Sequence, residues 1–149
     1  MCLSFLQDCI RWQASLKAFV VMSNHIHLIV RPEESKSVSH LMCEIKSNSK
    51  DRLFDLLNSK EKDQLQMQSG LGRRQFWKTS FRAFPLFEED VIDQKVTYLH
   101  QNPVRAGLVN LPEDYLWSSM NLYQLDLMTN EGMVDLEVAK AFYRSLLAS

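Results

Sequence analysis

The sequence predicts an α+β fold, because helical and extended patterns alternate along the chain. Apolar residues at helical spacing open it and predict a helix over about Leu3–Ala14. Two β-rich runs follow, Leu16–Met22 and His25–Arg31, and the short gap between them predicts a tight antiparallel hairpin. A further helix is bounded by acidic residues from Glu88 and by Pro103, which favour a helix start and a helix end, respectively.

The remaining segments complete this alternation. An apolar stripe over Ser37–Leu57 predicts one long amphipathic helix. Asn58–Gln75 is polar and contains two glycines, so we expect a mobile loop there. Phe76–Phe87 is rich in aromatic residues and is expected to be extended, and a last helix is predicted over about Leu136–Leu147.

The composition fits one globular domain of 149 residues, with 46% hydrophobic and 23% charged residues. The net charge of -1 requires any nucleic-acid surface to be local rather than spread over the protein. The three cysteines are an odd number without metal-ligand spacing, which fits reduced thiols. Because no stretch approaches the roughly 18 apolar residues of a membrane span, we expect a cytoplasmic protein.

Two histidines in the second run of the hairpin are candidates for chemistry. His25 and His27 are two residues apart, and the period of a strand places both imidazoles on one face, where they could share a cation. The alternative is a pair of half-buried strand histidines without a ligand. The spacing alone does not decide between these two interpretations.

The helix before Pro103 carries a second candidate pair. At about 100° per residue, Asn102 lies about one turn beyond Tyr98 on the same face, whereas Gln101 lies farther round and His100 nearly opposite. Tyr98 and Asn102 could therefore serve one site. Tyr98 also borders the apolar stripe of this helix, so a packed core aromatic is the alternative, and we expect His100 to be structural.

Three segments resemble the HUH single-tyrosine transposases, in the REP-associated branch of that family. Met22–Leu28 resembles the signature in which a hydrophobic residue separates two metal-binding histidines. Tyr98–Val109 is similar to the tyrosine helix and following turn of that branch, and Trp117–Ser119 is similar to a further element downstream. Three segments in the right order over about Ala18–Ser119 are more specific than any one of them.

The resemblance implies a ferredoxin-like antiparallel sheet with helices on one side. That fold has a strand ahead of its first helix, whereas this chain begins inside the helix, so the first strand is expected to be missing. Residues 1–123 are then the transposase core and residues 124–149 a C-terminal tail with a helix. Members of the family pair their sheets, which implies a homodimer.

The resemblance also implies the chemistry. His25, His27 and Asn102 would bind Mg²⁺ or Mn²⁺, and Tyr98 would be the nucleophile in nicking and strand transfer of single-stranded DNA. A cation on the phosphate stabilises the charge that develops there, and a 5′-phosphotyrosine intermediate conserves the bond energy of the cut strand. Asn102 stands where relatives often have the longer Gln, so its helix has to approach the sheet or a water has to intervene.

A DNA surface is expected where basic and aromatic residues interleave, the mixture that single strands favour. The DNA is expected to carry a hairpin. The residues assigned to this surface are Arg31, Lys46, Lys50, Arg73, Arg74, Trp77, Lys78 and Arg82.

Two other functions stay open at this point. A relative without catalysis could keep the DNA-hairpin surface and act as a binding module, and the missing strand would account for its inactivity. A metal-dependent nuclease could instead use the histidines for hydrolysis, with Tyr98 packed and inert. Covalent trapping separates these functions, because only the strand transferase forms a protein–DNA adduct.

Overall fold

The computed structural model describes residues 8–9, 14–68, 76–129 and 131–148, and it confirms the α+β class. Of the first predicted helix, Asp8 and Cys9 are described and are helical, and most of its other residues lie outside the described part. A 3₁₀ turn spans Pro112–Asp114. The other elements, in chain order, are β1 (Ser15–Val21), β2 (Ile26–Arg31), α1 (Val38–Leu56), α2 (Ser59–Gln68), α3 (Glu89–His100), α4 (Asn102–Arg105), α5 (Met120–Gln124) and α6 (Leu136–Ala148).

The predicted hairpin is confirmed. β1 and β2 pair antiparallel, with Val20 opposite His27, and the backbone N–H of Met22 donates to the carbonyl of His25 at 2.8 Å to close the turn. An irregularity between Leu16 and Ala18 interrupts the register. Because a bulge adds one residue to its strand, it changes which side chains share a face.

The two faces of the hairpin join different apolar clusters. Leu16 lies in one cluster with Phe19 and Val21, although strict alternation would separate it from them, which is the consequence of the bulge. The other buried members of this cluster are Cys9, Ala14, Leu41, Ile45, Leu122, Val134, Ala139 and Tyr143. The opposite face contributes Ala18, Val20 and Met22 to a second cluster, with Val96 and Leu99 of α3. Helices therefore cover both faces in the described part, which differs from the one-sided arrangement that the resemblance implies.

The outer edge of β1 is bound by later parts of the chain. The N–H of Val21 donates to the carbonyl of Trp117 at 2.8 Å, and the N–H of Ser119 donates to the carbonyl of Phe19 at 2.9 Å. Along the free edge of β2, no strand pairs among the residues that the structure describes. The described sheet therefore has one occupied edge and one open edge.

The loop predicted over Asn58–Gln75 is wrong in its first part, which forms α2. Asn58 Oδ1 accepts from the N–H of Glu61 at 3.0 Å, and Glu61 Oε2 accepts from the N–H of Asn58 at 2.9 Å. This reciprocal capping starts the helix, and Lys, Glu and Gln then favour its continuation. Residues 69–75 lie outside the described part. The predicted helices at α1 and α6 are confirmed, and Phe76–Phe87 contains neither helix nor strand.

The helix of the predicted C-terminal tail packs into the same core as β1. Tyr143 of α6 is fully buried, and its ring centroid lies 5.9 Å from that of Phe19. Its hydroxyl donates to the carbonyl of Ser118 at 2.5 Å. Among the described helices, none combines the length and the apolar character needed to cross a membrane.

Candidate functional site

Both histidines lie on the face of the hairpin that α3 covers. His27 is the cross-strand partner of Val20, and His25 lies opposite Met22. Val20 and Met22 pack against Val96 and Leu99 of α3. Because directly paired residues of an antiparallel sheet project to the same side, the histidines extend this face beyond the apolar contact with α3.

The two imidazoles converge at their Nε2 atoms, which lie 3.0 Å apart. The rings meet edge to face with centroids 4.7 Å apart, and the Oδ1 atom of Asn24 contacts Nδ1 of His25. Burial lowers the pKa of His27, and the neighbouring His25 adds to this effect. A lowered pKa favours the neutral imidazole, which is the form that binds a metal.

The histidine pair fits a divalent cation. Two ligands that stand about 2.1 Å from one ion at a right angle are about 3 Å apart, which matches the Nε2 separation of 3.0 Å. The contact of Asn24 with the other nitrogen of His25 is the kind of support that orients metal-binding histidines. Within the described ranges, no group of three His, Cys, Asp or Glu residues could hold a metal ion. A third protein ligand from these ranges would therefore have to be of another type, such as an amide oxygen.

Tyr98 projects from α3 into solvent, with 51% of its surface exposed. Its neighbours Val96 and Leu99 are buried on the sheet, so the helix is held by its apolar stripe and the tyrosine lies at the border of that stripe. This exposure disagrees with the alternative of a packed core aromatic. Tyr98 makes no hydrogen bond or ring contact with His25 or His27 among the described contacts.

Asn102 does not continue the tyrosine helix, which corrects the prediction that it lies one turn beyond Tyr98 on the same helix. α3 ends at His100, and Asn102 begins α4. Its Nδ2 donates to the carbonyls of Leu99 at 3.0 Å and of Tyr98 at 3.2 Å. The physical reason is Pro103, which has no N–H for the Leu99 carbonyl. The side-chain amide of Asn102 takes that place, and its Oδ1 is not part of these two bonds.

The short helix α4 folds the chain back over Tyr98. Its end is a Schellman motif, in which the N–H of Gly107 donates to Val104 at 2.9 Å and that of Leu108 to Pro103 at 3.0 Å. Gly107 has a φ of +67°, which glycine adopts without strain. The turn places the guanidinium carbon of Arg105 over the Tyr98 ring, 4.2 Å from its centroid.

Ser119 joins three elements near the end of α3. Its Oγ lies 2.7 Å from Nε2 of His100, accepts from the N–H of Phe19 at 2.9 Å and lies 3.2 Å from the Phe19 carbonyl. His100 is buried, and burial lowers its pKa to about 4. His100 is therefore a neutral residue that ties α3 to β1, in agreement with the structural role expected for it.

Residues 4–102 match the family model described as "Transposase IS200 like". The chain belongs to the IS200-like transposase family. A Haemophilus influenzae protein with the provisional name REP-associated tyrosine transposase is 23% identical over 120 residues, which are 79% of this chain and 65% of that protein. The chain thus spans about two thirds of that relative's length, and no solved structure matches it significantly.

The part of the chain that matches the family model contains His25, His27 and Tyr98 and ends at Asn102. Arg105, the Ser119 junction and α6 lie beyond it. Arg105 lies within the Tyr98–Val109 segment that resembles the family, but the sequence predicted no role for it. The available signal was the combination of Pro103 and Gly107, which predicts a short, sharply ended helix that returns the chain toward Tyr98.

The residues that the sequence assigned to a DNA surface divide into two groups. Lys46 donates to the carbonyls of Lys78 at 2.8 Å, Thr79 at 3.4 Å and Ser80 at 2.9 Å, and burial lowers its pKa. Trp77 is half-buried, and its Nε1 donates to Ser49 Oγ at 2.8 Å. Lys46 and Trp77 therefore hold the Phe76–Phe87 segment against α1. The exposed members are Arg31, Lys50, Lys78 and Arg82, and Arg73 and Arg74 lie outside the described residues.

Proposed function

We propose that this transposase nicks single-stranded DNA and transfers the cut strand through a 5′-phosphotyrosine on Tyr98. The observation that carries the proposal is the convergence of His25 and His27, with Nε2 atoms 3.0 Å apart, on the sheet face covered by the helix of Tyr98. Such a reaction needs at least an exposed tyrosine and a cation site, and both belong to elements of this sheet face.

The reaction exchanges one phosphodiester for another. The phenolic proton of Tyr98 passes to a solvent base, Oη forms a bond to phosphorus, and the bond from phosphorus to O3′ breaks. The electron pair leaves with O3′, which takes a proton from water. Attack by another 3′ hydroxyl reverses these changes and joins the new strand, so no nucleotide hydrolysis is needed. A divalent cation would supply charge stabilisation at the non-bridging oxygens during each step.

We assign His25, His27 and Asn102 as the residues that would bind Mg²⁺ or Mn²⁺. Two imidazole nitrogens and one amide oxygen suit manganese at least as well as magnesium. The amide group of Asn102 is anchored through Nδ2 to the end of α3. Its Oδ1 would therefore act from a fixed position, either directly or through a water.

The proposed DNA surface consists of the four exposed cations Arg31, Lys50, Lys78 and Arg82. Phe84 and Phe87 are 78% and 86% exposed in the same extended segment as Arg82. Exposed rings beside cations offer stacking to unpaired bases together with charge for the backbone. A single strand that carries a hairpin is the substrate that we assign to this surface.

We also propose that the transposase is a homodimer that pairs through β2. The N–H of Met22 donates to His25, so alternation turns the backbone groups of His27 and Ile29 toward β1. Those of Ile26, Leu28 and Val30 then face the open edge. An open edge is a template for pairing with another chain.

A binding module without catalysis is the second candidate. It is favoured by Asn102, whose amide is engaged at the end of α3 and makes no described contact with either histidine. In this case the DNA surface would act alone, and Tyr98 would have no chemical role.

The deciding experiment uses a pool of DNA hairpins with randomised single-stranded flanks, incubated with the purified protein and Mn²⁺. We expect an adduct that survives denaturing electrophoresis and is absent from the Tyr98→Phe variant. Tyr123→Phe is the matched control, because it removes a hydroxyl that donates to the Lys17 carbonyl at 2.8 Å. Adduct retained in Tyr98→Phe would assign the nucleophile elsewhere. Metal-dependent cutting without adduct would indicate a hydrolytic nuclease, and hairpin binding without either would indicate the binding module.

A further inference from the structure

The guanidinium of Arg105 lies over the ring of Tyr98, and no residue in the described part of the chain accepts a hydrogen bond from it. The guanidinium carbon lies 4.2 Å from the centroid of the tyrosine ring. A guanidinium that stacks through its flat face keeps its N–H groups available in the plane, and these match the geometry of a phosphate. The side chain is exposed, and no carboxylate pairs with it among the described ion pairs.

A second cation lies near the same ring. The Nζ atom of Lys95, which is one turn before Tyr98 in α3, is 5.8 Å from the ring centroid. Two cations without an ion pair among the described residues therefore flank the half-exposed Tyr98 near the carboxyl end of α3. The helix dipole by itself disfavours an anion there. Positive charge at this point offsets that effect and favours an anion near the ring of Tyr98.

The position of Arg105 is set by the backbone rather than by the side chain alone. Asn102 caps α3, Pro103 is fully buried at the start of α4, and Gly107 closes the Schellman motif. These three residues fix the path of the four-residue helix from both ends. This turn therefore positions the guanidinium of Arg105 near Tyr98. The hydrogen bonds of the turn do not involve the guanidinium.

We propose that Arg105 binds the phosphate attacked by Tyr98 and, after attack, the phosphotyrosine that results. This inference rests on the proposed function and adds a phosphate-binding residue to it. Arg105 undergoes no covalent change: it donates to the non-bridging oxygens while the bond between Oη and phosphorus forms and the bond between phosphorus and O3′ breaks. Lys95 contributes charge at longer range.

Binding is measured first, in the Tyr98→Phe background, where the ring that carries the stack is kept and no adduct can form. The probe is the hairpin pool with randomised flanks. Arg105→Gln should weaken binding roughly tenfold and reduce the slope of log affinity against log salt by about 0.7. Arg144→Gln, which removes an exposed arginine of α6, is the matched control and should leave both unchanged.

Adduct formation is measured second, with Tyr98 intact. Arg105→Gln should slow it at least tenfold, and Arg105→Lys should restore part of the rate because it keeps the charge without the planar fork. Unfolding midpoints close to that of the parent protein would show that these variants are folded. A purely structural role for Arg105 would leave the salt slope unchanged.

The two measurements separate the inference from the proposed function. If the wild-type protein forms adduct and Arg105→Gln alters neither rate nor affinity, the inference is overturned and the proposed function stands. If the wild-type protein forms no adduct while Arg105→Gln lowers affinity and salt slope, the phosphate site stands and the tyrosine chemistry fails. If the wild-type protein forms no adduct and Arg105→Gln leaves the binding of DNA unchanged, both the inference and the proposed function are overturned.

Discussion

Ser119 Oγ and His100 Nε2 lie 2.7 Å apart in the interior. Because the same Oγ also accepts from the N–H of Phe19, this contact connects α3, the helix of Tyr98, to β1. The same hydroxyl serves the backbone of Phe19, so one small side chain satisfies polar groups of two elements. Ser119 belongs to the Trp117–Ser119 segment, the last of the three segments that carry the resemblance. The serine fixes where the end of α3 lies relative to β1.

Replacing Ser119 by alanine should lower the free energy of unfolding by about 2 to 3 kcal/mol, because it leaves buried polar groups of His100 and Phe19 without their partner. Chemical denaturation would measure the change. Ser39→Ala is the control, since Ser39 is exposed on α1 and its loss should be nearly neutral. A small effect at Ser119 would mean that water replaces the hydroxyl.

Stability should fall as pH decreases from about 6.5 to about 4, because of His100. Burial lowers its pKa from 6.5 to about 4, so the folded protein binds fewer protons than the unfolded chain in this range. The contribution of the neutral imidazole is present above pH 6.5 and is lost on acidification, by up to about 3 kcal/mol at one pKa unit per 1.36 kcal/mol. His100→Gln should flatten this part of the stability curve. Parallel curves for parent and variant would contradict the assignment.

The sequence predicted those features that depend on local pattern. The hairpin, α1 and α6 follow from alternation and helical periodicity, and the shared face of His25 and His27 follows from the period of a strand. The α2 helix was missed because its residues are polar and lack an apolar stripe, while its start depends on reciprocal capping between Asn58 and Glu61. Long-range contacts, such as that of Ser119 with His100, leave no periodic signal.

The end of α3 shows, within the candidate site, the same limit of prediction from local sequence pattern. Pro103 correctly predicted a helix stop, but α3 ends at His100, two residues before the Asn102 that the prediction placed on the same helix. The backbone turns at Gln101, and the amide of Asn102 then replaces the hydrogen bond that proline cannot donate. The angular position of Asn102 on an ideal helix does not show that its side-chain amide can replace a backbone N–H at the carbonyl of Leu99.

Manganese should bind to the protein through His25 and His27. We expect His27→Ala to abolish measurable binding, and Asn102→Ala to weaken it by roughly ten- to a hundredfold if its oxygen is a direct or water-linked ligand. Titration followed by electron paramagnetic resonance of the free ion would give the affinities. His40→Ala, which alters an exposed histidine of α1, should bind like the parent protein. Equal affinity in Asn102→Ala would assign the third ligand elsewhere, with Gln101 the next candidate.

Truncation after Gln124 should prevent cooperative folding. It removes Val134, Ala139 and Tyr143, which are buried in the cluster that covers one face of the hairpin. Losing one large buried side chain already costs about 3 to 5 kcal/mol, which approaches the stability of a small domain. Arg144→Ala in the complete chain is the control for a change to α6 that leaves this cluster intact. A truncated protein with a sharp unfolding transition would show that residues 1–124 fold alone.

The proposed dimer should depend on the backbone of Leu28 rather than on its side chain. The N–H of Leu28 faces the open edge of β2, so Leu28→Pro removes a donor for a partner strand and spares the bonds to β1. Leu28→Ala is the matched control, because it shortens the same side chain and keeps the N–H. Light scattering at micromolar concentration should give a dimer for the parent and for Leu28→Ala, and a monomer for Leu28→Pro. Circular dichroism would establish that the proline variant keeps its fold. A parent protein that is monomeric at high micromolar concentration would exclude pairing through β2, and a dimeric Leu28→Pro variant would place the interface on another surface.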